Sequence, residues 1–150
     1  MRLRPYEHRD CRALARLFFD TVRTVNRRDY SLVQVEAWAP VEPDLAAWDA
    51  SLSAHHTLVA AEGEKIVGFA DMDPDGYLDR LYVHKDHQGR GIATALCDAL
   101  EGGSAAPRFT THASLTARPF FEARGYRVVR AQQVERRGTY LANLVREKRR

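Results

Sequence analysis

The residues with the clearest chemical potential lie in one stretch, HKDHQGRGIATAL, from His84 to Leu96. Gly89 and Gly91 flank Arg90 there, after a strand-like run and ahead of an apolar helical pattern. A helix start leaves about four backbone N–H groups without partners and carries roughly half a positive charge. Glycines beside it let a ligand come close to that backbone. Strand, glycine turn and helix therefore form an anion site, best suited to phosphate. No Gly-Lys-Ser/Thr ends the loop, so it is not a Walker A motif, and the early G-x-G-x-x-G of a dinucleotide fold is missing too. On the two glycines alone, a plain connector between strand and helix fits nearly as well.

Cysteine and histidine chemistry is weaker. Cys11 and Cys97 lie far apart in helical patterns, which favours two reduced, half-buried thiols over a disulfide. The six histidines show no ligand spacing with them, so no metal is expected.

The elements that must position the loop follow from the pattern around it. MRLRPY alternates as a short first strand, and Asp10 is the expected cap of a helix of about sixteen residues bearing Leu14, Leu17, Phe18, Thr21, Val22 and Val25. Ser31 is positioned to cap a short helix that Pro40 ends, and Pro43 lies near the first turn of another. Residues 56–84 read as three antiparallel strands, with tight turns at Gly63 and at Asp73 to Gly76. Alternation in the third places Tyr77, Asp79, Leu81 and Val83 on one face. A helix from Gly89 to about Glu101 follows, then a strand at RFTTHAS, a helix capped by Ser114 or Thr116 and ended by Gly125, and two strands around Gly138. This order predicts a mixed α/β (α+β) sheet with helices on both faces, in one domain spanning residues 1–150.

An apolar share of 45% and a charged share of 29% suit a soluble globular chain. No apolar run is long enough to cross a membrane, and MRLRPYEHRD lacks a signal-peptide core, so a cytoplasmic location is expected. From Arg127 onward eight Lys or Arg stand against two Glu. The ending REKRR reads first as a solvated tail. Without interleaved aromatics, nucleic-acid binding is the weaker reading.

The wider context of the loop narrows its meaning. LDRLYVHKDHQGRGIATAL closely resembles the acyl-CoA loop of the GNAT family of N-acetyltransferases. There a strand end like LYV precedes the pattern Q/R-x-x-G-x-G/A. Gln88, Gly91 and Ala93 fill it here, with Gly89 and Arg90 between, and Ala93 replaces the commoner glycine. Downstream, SLTARPFFEARGYR resembles the family's A-x-x-F-Y-x-x-x-G-F helix at Ala117, Phe120, Gly125 and Tyr126. The resemblance implies the GNAT acyl-CoA N-acyltransferase fold, with a mostly antiparallel, splayed central sheet. It implies acetyl-CoA as acyl donor and an amine as acceptor, joined by direct attack in a ternary complex. The pyrophosphate would rest on the amides of about Gln88 to Thr94, with charge from Arg90 and Lys85. The pantetheine arm would pair with Leu81, Tyr82 and Val83, flanked by Ser114 and Phe120. Such chains often pair through their C-terminal strands, so a homodimer is a family-level expectation.

For the chemistry, the resemblance points to a backbone N–H near Tyr82 or Val83 for the thioester carbonyl. Tyr77 stands where many relatives carry a glutamate base, which makes Asp79, two residues on, the nearest carboxylate able to take its place. A partner for Arg80 or Lys85 is an equally good reading of Asp79. The family's acidic tyrosine falls at Phe121, which leaves Tyr82, Ser114 and Tyr126 as hydroxyls to consider and His84 and His112 as relays. The acceptor site would be built from Tyr30, Glu36, Trp38 and Trp48, residues that also suit plain packing. Aromatics with one carboxylate would suit a cationic or aromatic amine. The alternatives are a non-catalytic acyl-CoA sensor, motivated by Phe121, and a basic nucleic-acid-binding module.

Overall fold

In the computed structural model, which describes residues 1–150, the chain runs β1 (Arg2–Pro5), α1 (Cys11–Thr24), α2 (Leu32–Trp38), α3 (Leu45–Ala54), β2 (His56–Glu62), β3 (Lys65–Met72), β4 (Tyr77–Val83), α4 (Ile92–Gly102), β5 (Arg108–Ser114), α5 (Arg118–Ala123), β6 (Arg127–Arg136) and β7 (Thr139–Arg149). The strands form one sheet in the order β1-β2-β3-β4-β5-β7-β6. All neighbours are antiparallel except β4 and β5. Helices cover both faces, as the element order predicts. Leu58, Ala60, Val67 and Ala70 pack under Leu96 and Leu100 of α4. Val59 and Phe69 turn the other way, onto Leu14 and Leu17 of α1 and Leu52 of α3. Period-two strands buried on both faces explain why β2 and β3 read as unbroken apolar runs. Each fully buried Leu or Phe contributes about 2 kcal/mol.

Several local expectations change. Asp10 does not cap α1. Its carboxylate takes two hydrogen bonds from Arg4, at 2.8 and 2.9 Å, and one from the Glu7 N–H at 2.9 Å, which ties β1 to the start of α1. Ser31 does cap α2, accepting from the Gln34 N–H at 3.2 Å. α4 begins at Ile92 rather than Gly89, because Gly91 has φ of 80° and cannot be helical. α5 starts late, at Arg118, and the Ser114 hydroxyl accepts from the Ala117 N–H at 3.2 Å ahead of it.

Strict alternation in β4 fails. The register against β3 slips between Asp71↔Arg80 and Met72↔Leu78, a bulge at Asp79. Leu78 thereby joins Leu81 and Val83 on the α4 side. Arg80 and Tyr82 turn to the other face, against Trp48 and Phe18.

The ending REKRR is not a free tail. Arg146 is fully buried, Lys148 reaches Glu101 at 2.7 Å, and Arg150 donates to the carbonyls of Glu101, Ser104 and Ala106. No helix is long and apolar enough to cross a membrane.

β5 is held against β4 at one end only. The Asp73 carbonyl accepts from the Gly76 N–H at 3.1 Å, and the Gly76 carbonyl accepts from Thr110 at 3.1 Å. A Cβ on Gly76 would sit 2.5 Å from the Arg108 carbonyl, so only glycine lets the two backbones meet. Pairing covers Tyr77↔Thr110 and Leu78↔Thr111, and beyond Leu78 the strands part.

Candidate active site

The gap between β4 and β5 opens into a cleft of 490 Å³. Leu81, Tyr82 and Val83 line one side, and Thr111, Ala113 and Ser114 the other. The His84 N–H donates to Val67 on β3 at 2.8 Å. By the alternation of a β-ladder, Val83 then turns its backbone groups into the gap. Its carbonyl accepts there from Gln88 Nε2 at 2.6 Å and Thr21 Oγ1 at 3.4 Å. That leaves the Val83 N–H on an unpaired strand edge, able to bond an extended ligand.

The start of α4 closes one end of this cleft. The first intrahelical bond runs from the Ala95 N–H to the Gly91 carbonyl at 3.0 Å, so the N–H groups of Ile92, Ala93 and Thr94 precede the ladder. Gly89 and Gly91 have φ of 73° and 80°, and a Cβ on either would meet nothing within 4 Å. The glycines thus leave open space against unpaired donors, which fits a phosphate group. Gln88, Gly89, Gly91, Ala93 and Thr94 all line this cleft, as do Ser114 and Phe120. The buried Thr116 hydroxyl, also on its wall, has no partner in the protein. Arg90 is exposed and lies outside the cleft.

A second cleft, of 520 Å³, opens on the other side of β4. Phe18, Phe19, Trp38 and Trp48 give it aromatic walls, and Arg136 and Arg137 of the β6–β7 turn stand on its rim. Tyr30 lines it while bracing the fold, donating to the Ala142 carbonyl at 2.6 Å and accepting from the Leu115 N–H at 2.9 Å. Burial raises that phenol's pKa. Glu36 is exposed on α2 and lines neither cleft.

The two clefts share Trp38, Asp79, Arg80, Tyr82, His112 and Ser114. Around this junction Asp71, fully buried on β3, receives Arg80 at 2.6 Å and pairs with His55 Nδ1 at 2.7 Å. Burial raises the Asp71 pKa against the pull of Arg80. Asp79 lies 3.5 Å from Arg80 and 4.0 Å from His55. Carboxylate and imidazole atoms of Asp71, Asp79 and His55 converge here, with the Arg80 guanidinium among them. Tyr77 packs edge-on to His112 with centroids 5.2 Å apart. Burial, aided by Asp79, pushes its hydroxyl up to about 12. Burial and then Arg130 lower the His112 pKa, which favours the neutral ring.

Other candidate groups are drawn off. Phe121 is buried on the first cleft's wall without a hydroxyl. The Tyr126 hydroxyl donates to Glu101, and His84 sits against His87, so neither reaches a cleft. Cys97 is buried outside both clefts, its thiol pushed up to about 12 by burial. Sequence reasoning missed Asp71, His55, Arg136 and Arg137. A single carboxylate inside the apolar run IVGFADM was a readable signal for Asp71.

Comparison with known proteins finds relatives across nearly the whole chain. The family described as Acetyltransferase (GNAT) domain matches residues 26–146. An uncharacterized N-acetyltransferase of Escherichia coli (strain K12), YafP, is 33% identical over 143 residues, 95% of this chain and 92% of its own length. The crystal structure of a GCN5-related N-acetyltransferase from Rhodopseudomonas palustris, described as "Aminotransferase, Class-II", superposes with a TM-score of 0.94 at 38% identity, over 99% of this chain and 94% of that one. The PaiA N-acetyltransferase of Thermoplasma acidophilum, solved with coenzyme A, has the same fold, with a TM-score of 0.79 at 14% identity over 99% of this chain and 98% of that one.

Proposed function

Because the chain belongs to the GNAT acetyltransferase family, we propose that it moves an acetyl group from acetyl-CoA to a primary amine by direct attack, with both substrates bound together. The observation that carries this reading is the overlap of the two clefts at Asp79, Tyr82, His112 and Ser114. Bound acetyl-CoA would supply the acetyl group as a thioester, already activated toward an amine. The amides of Ile92, Ala93 and Thr94, beside Gly89 and Gly91, suit its pyrophosphate, and the Leu81–Val83 edge suits its pantetheine arm. Coenzyme A is the ligand of the Thermoplasma acidophilum protein, which shares this fold.

An alkyl amine titrates near roughly 10 and must be neutral to attack. Asp79 is the carboxylate at the junction and takes the proton released as the new amide forms. The Val83 N–H, on the same edge as its Gln88-bound carbonyl, polarises the carbonyl under attack. The departing thiolate comes from a thiol of pKa about 8.5. With Phe121 lacking a hydroxyl, Ser114 or Tyr82 at the junction, or water, returns its proton. Cys11 and Cys97 line neither cleft, which supports transfer without a covalent enzyme intermediate.

The test combines purified protein, acetyl-CoA and a panel of primary amines while free thiol is followed. Amine-dependent thiol release is expected, with no acetylated protein by intact mass when the amine is omitted. Tight CoA binding without release for any amine would replace the enzyme with a sensor.

A further inference from the structure

Resting on the transfer reading above, we propose that the acceptor is a small amino carboxylate with an apolar or aromatic body, its carboxylate held by Arg136 and Arg137 while its amine faces Asp79. The second cleft is electrically two-ended. At the junction end Asp79 presents a partly exposed carboxylate 3.5 Å from Arg80, while the shorter contacts of Arg80 and His55, at 2.6 and 2.7 Å, go to buried Asp71. At the rim, Arg136 and Arg137 face no carboxylate. Arg136 donates only to the carbonyl of its neighbour Glu135, at 2.9 Å. Arg137 donates to the Ala37 carbonyl at the end of α2, at 2.7 Å. The remaining acid of this cleft, Asp44, is engaged as the cap of α3, accepting from Ala47 at 3.1 Å.

The rim is also built, not incidental. Arg137 has φ of 50°, the one non-glycine residue of the chain with a positive φ, and Gly138 follows at 80°. Two successive left-handed residues make the tight turn that joins twisted strands, a position where asparagine or glycine is the usual choice. Arginine there keeps a strained backbone and gains a cation fixed at the cleft rim. A planar guanidinium matches a carboxylate with two parallel hydrogen bonds. Phe18, Phe19, Trp38 and Trp48 line the same cleft and suit an apolar or aromatic body. The volume of 520 Å³ suits a small molecule. Glu36, the carboxylate expected in the acceptor wall, lies outside the cleft, and the paired arginines repel a purely cationic amine.

The experiment compares acceptors that differ in one group: L-alanine, L-leucine, L-methionine, L-phenylalanine and L-tryptophan, each with its amide and its decarboxylated amine. In parallel, calorimetry on the CoA-loaded protein measures the matching N-acetyl amino acids against their neutral analogues, so that binding is read without turnover. The expected result is a preference for the carboxylate of about tenfold or more in both assays. Arg136→Ala, and Arg136→Ala with Arg137→Asn, should remove that preference through KM with kcat and CoA affinity little changed. Asn keeps the left-handed turn, and Arg136→Lys should retain part of the preference. Equal affinity for neutral analogues, or a preference untouched by the variants, overturns the proposal whatever the turnover. Carboxylate-selective binding with no thiol release from any amine would instead sink the transfer reading and leave the recognition site standing.

Discussion

The hydroxyl of Tyr126 stands 2.8 Å from a carboxylate oxygen of Glu101, and that bond takes the tyrosine out of the chemistry and into the architecture. Glu101 is buried at the end of α4 and also receives Arg124 at 3.0 Å and Lys148 at 2.7 Å. Burial works to raise its pKa, and the three hydrogen bonds outweigh burial and lower it. One carboxylate thus fastens α4, the segment after α5, and β7 together.

Removing that carboxylate leaves Lys148 and the Tyr126 hydroxyl without their partner and Arg124 with Asp98 alone. Glu101→Ala should destabilise the protein by about 2 kcal/mol, measured as a lower urea midpoint with an unchanged slope. Because the knot lies behind the cleft wall, turnover of the folded fraction should change little.

Gly91→Asp should abolish CoA binding and leave the fold intact. A side chain here enters open space, but it brings negative charge to the α4 amides. The left-handed backbone costs about 1 kcal/mol for any non-glycine residue. Gly91→Ala carries that cost without the charge, and calorimetry with CoA should show a small loss for Ala and at least a roughly hundredfold loss for Asp. Equal losses would mean that strain, not charge, is being read.

Asp79→Asn should lower kcat/KM about a hundredfold and leave CoA affinity as it was. Measured from pH 6 to 9, the variant should regain rate as alkali frees more neutral amine. A wild-type rate across that range would move proton removal to water or His112.

The Asp10–Arg4 pair makes stability depend on acid in a known direction. The hydrogen bonds from Arg4 hold the Asp10 carboxyl below its ordinary value of 3.8. A depressed folded pKa contributes stability above the unfolded pKa and loses it as pH falls from there through the folded value. Asp10→Asn should therefore be about 2 kcal/mol less stable than wild type at pH 7. The gap should narrow below pH 3.8. Melting curves between pH 7 and 2.5 read it directly, and a gap constant with pH would show that Asp10 acts by packing alone.

The glycine loop was legible in the sequence because its chemistry is backbone chemistry: Gln88, Gly89 and Gly91 act through spacing along one segment. The element order was legible for the same reason, since periodicity and turn residues are local. What stayed hidden depends on approach between distant segments. The bulge at Asp79 is a register event between β3 and β4, and it moves Leu78 onto the face of Leu81 and Val83, opposite to the one alternation assigns it. Glu36 reads as part of an acceptor wall until α2 turns it to solvent. Arg136 and Arg137 read as one more basic run until the turn after β6 carries them to a cleft rim formed by α1 and α2.

The parting of β4 from β5 beyond Leu78 gives the sheet a seam. On one side lie β1 to β4, on the other β5 to β7, and the main chain bridges them through a few bonds near Gly76, with Tyr30 as a clasp. A ligand laid along the Val83 edge would act as a keystone between the halves, and heat resistance would become a property shared with a metabolite. By mass action, a ligand at a hundred times its Kd adds about 2.7 kcal/mol. Amide exchange should be fastest along the seam and should slow there first as the acyl donor accumulates. The supply of donor would then govern how long the protein lasts as well as how fast it works.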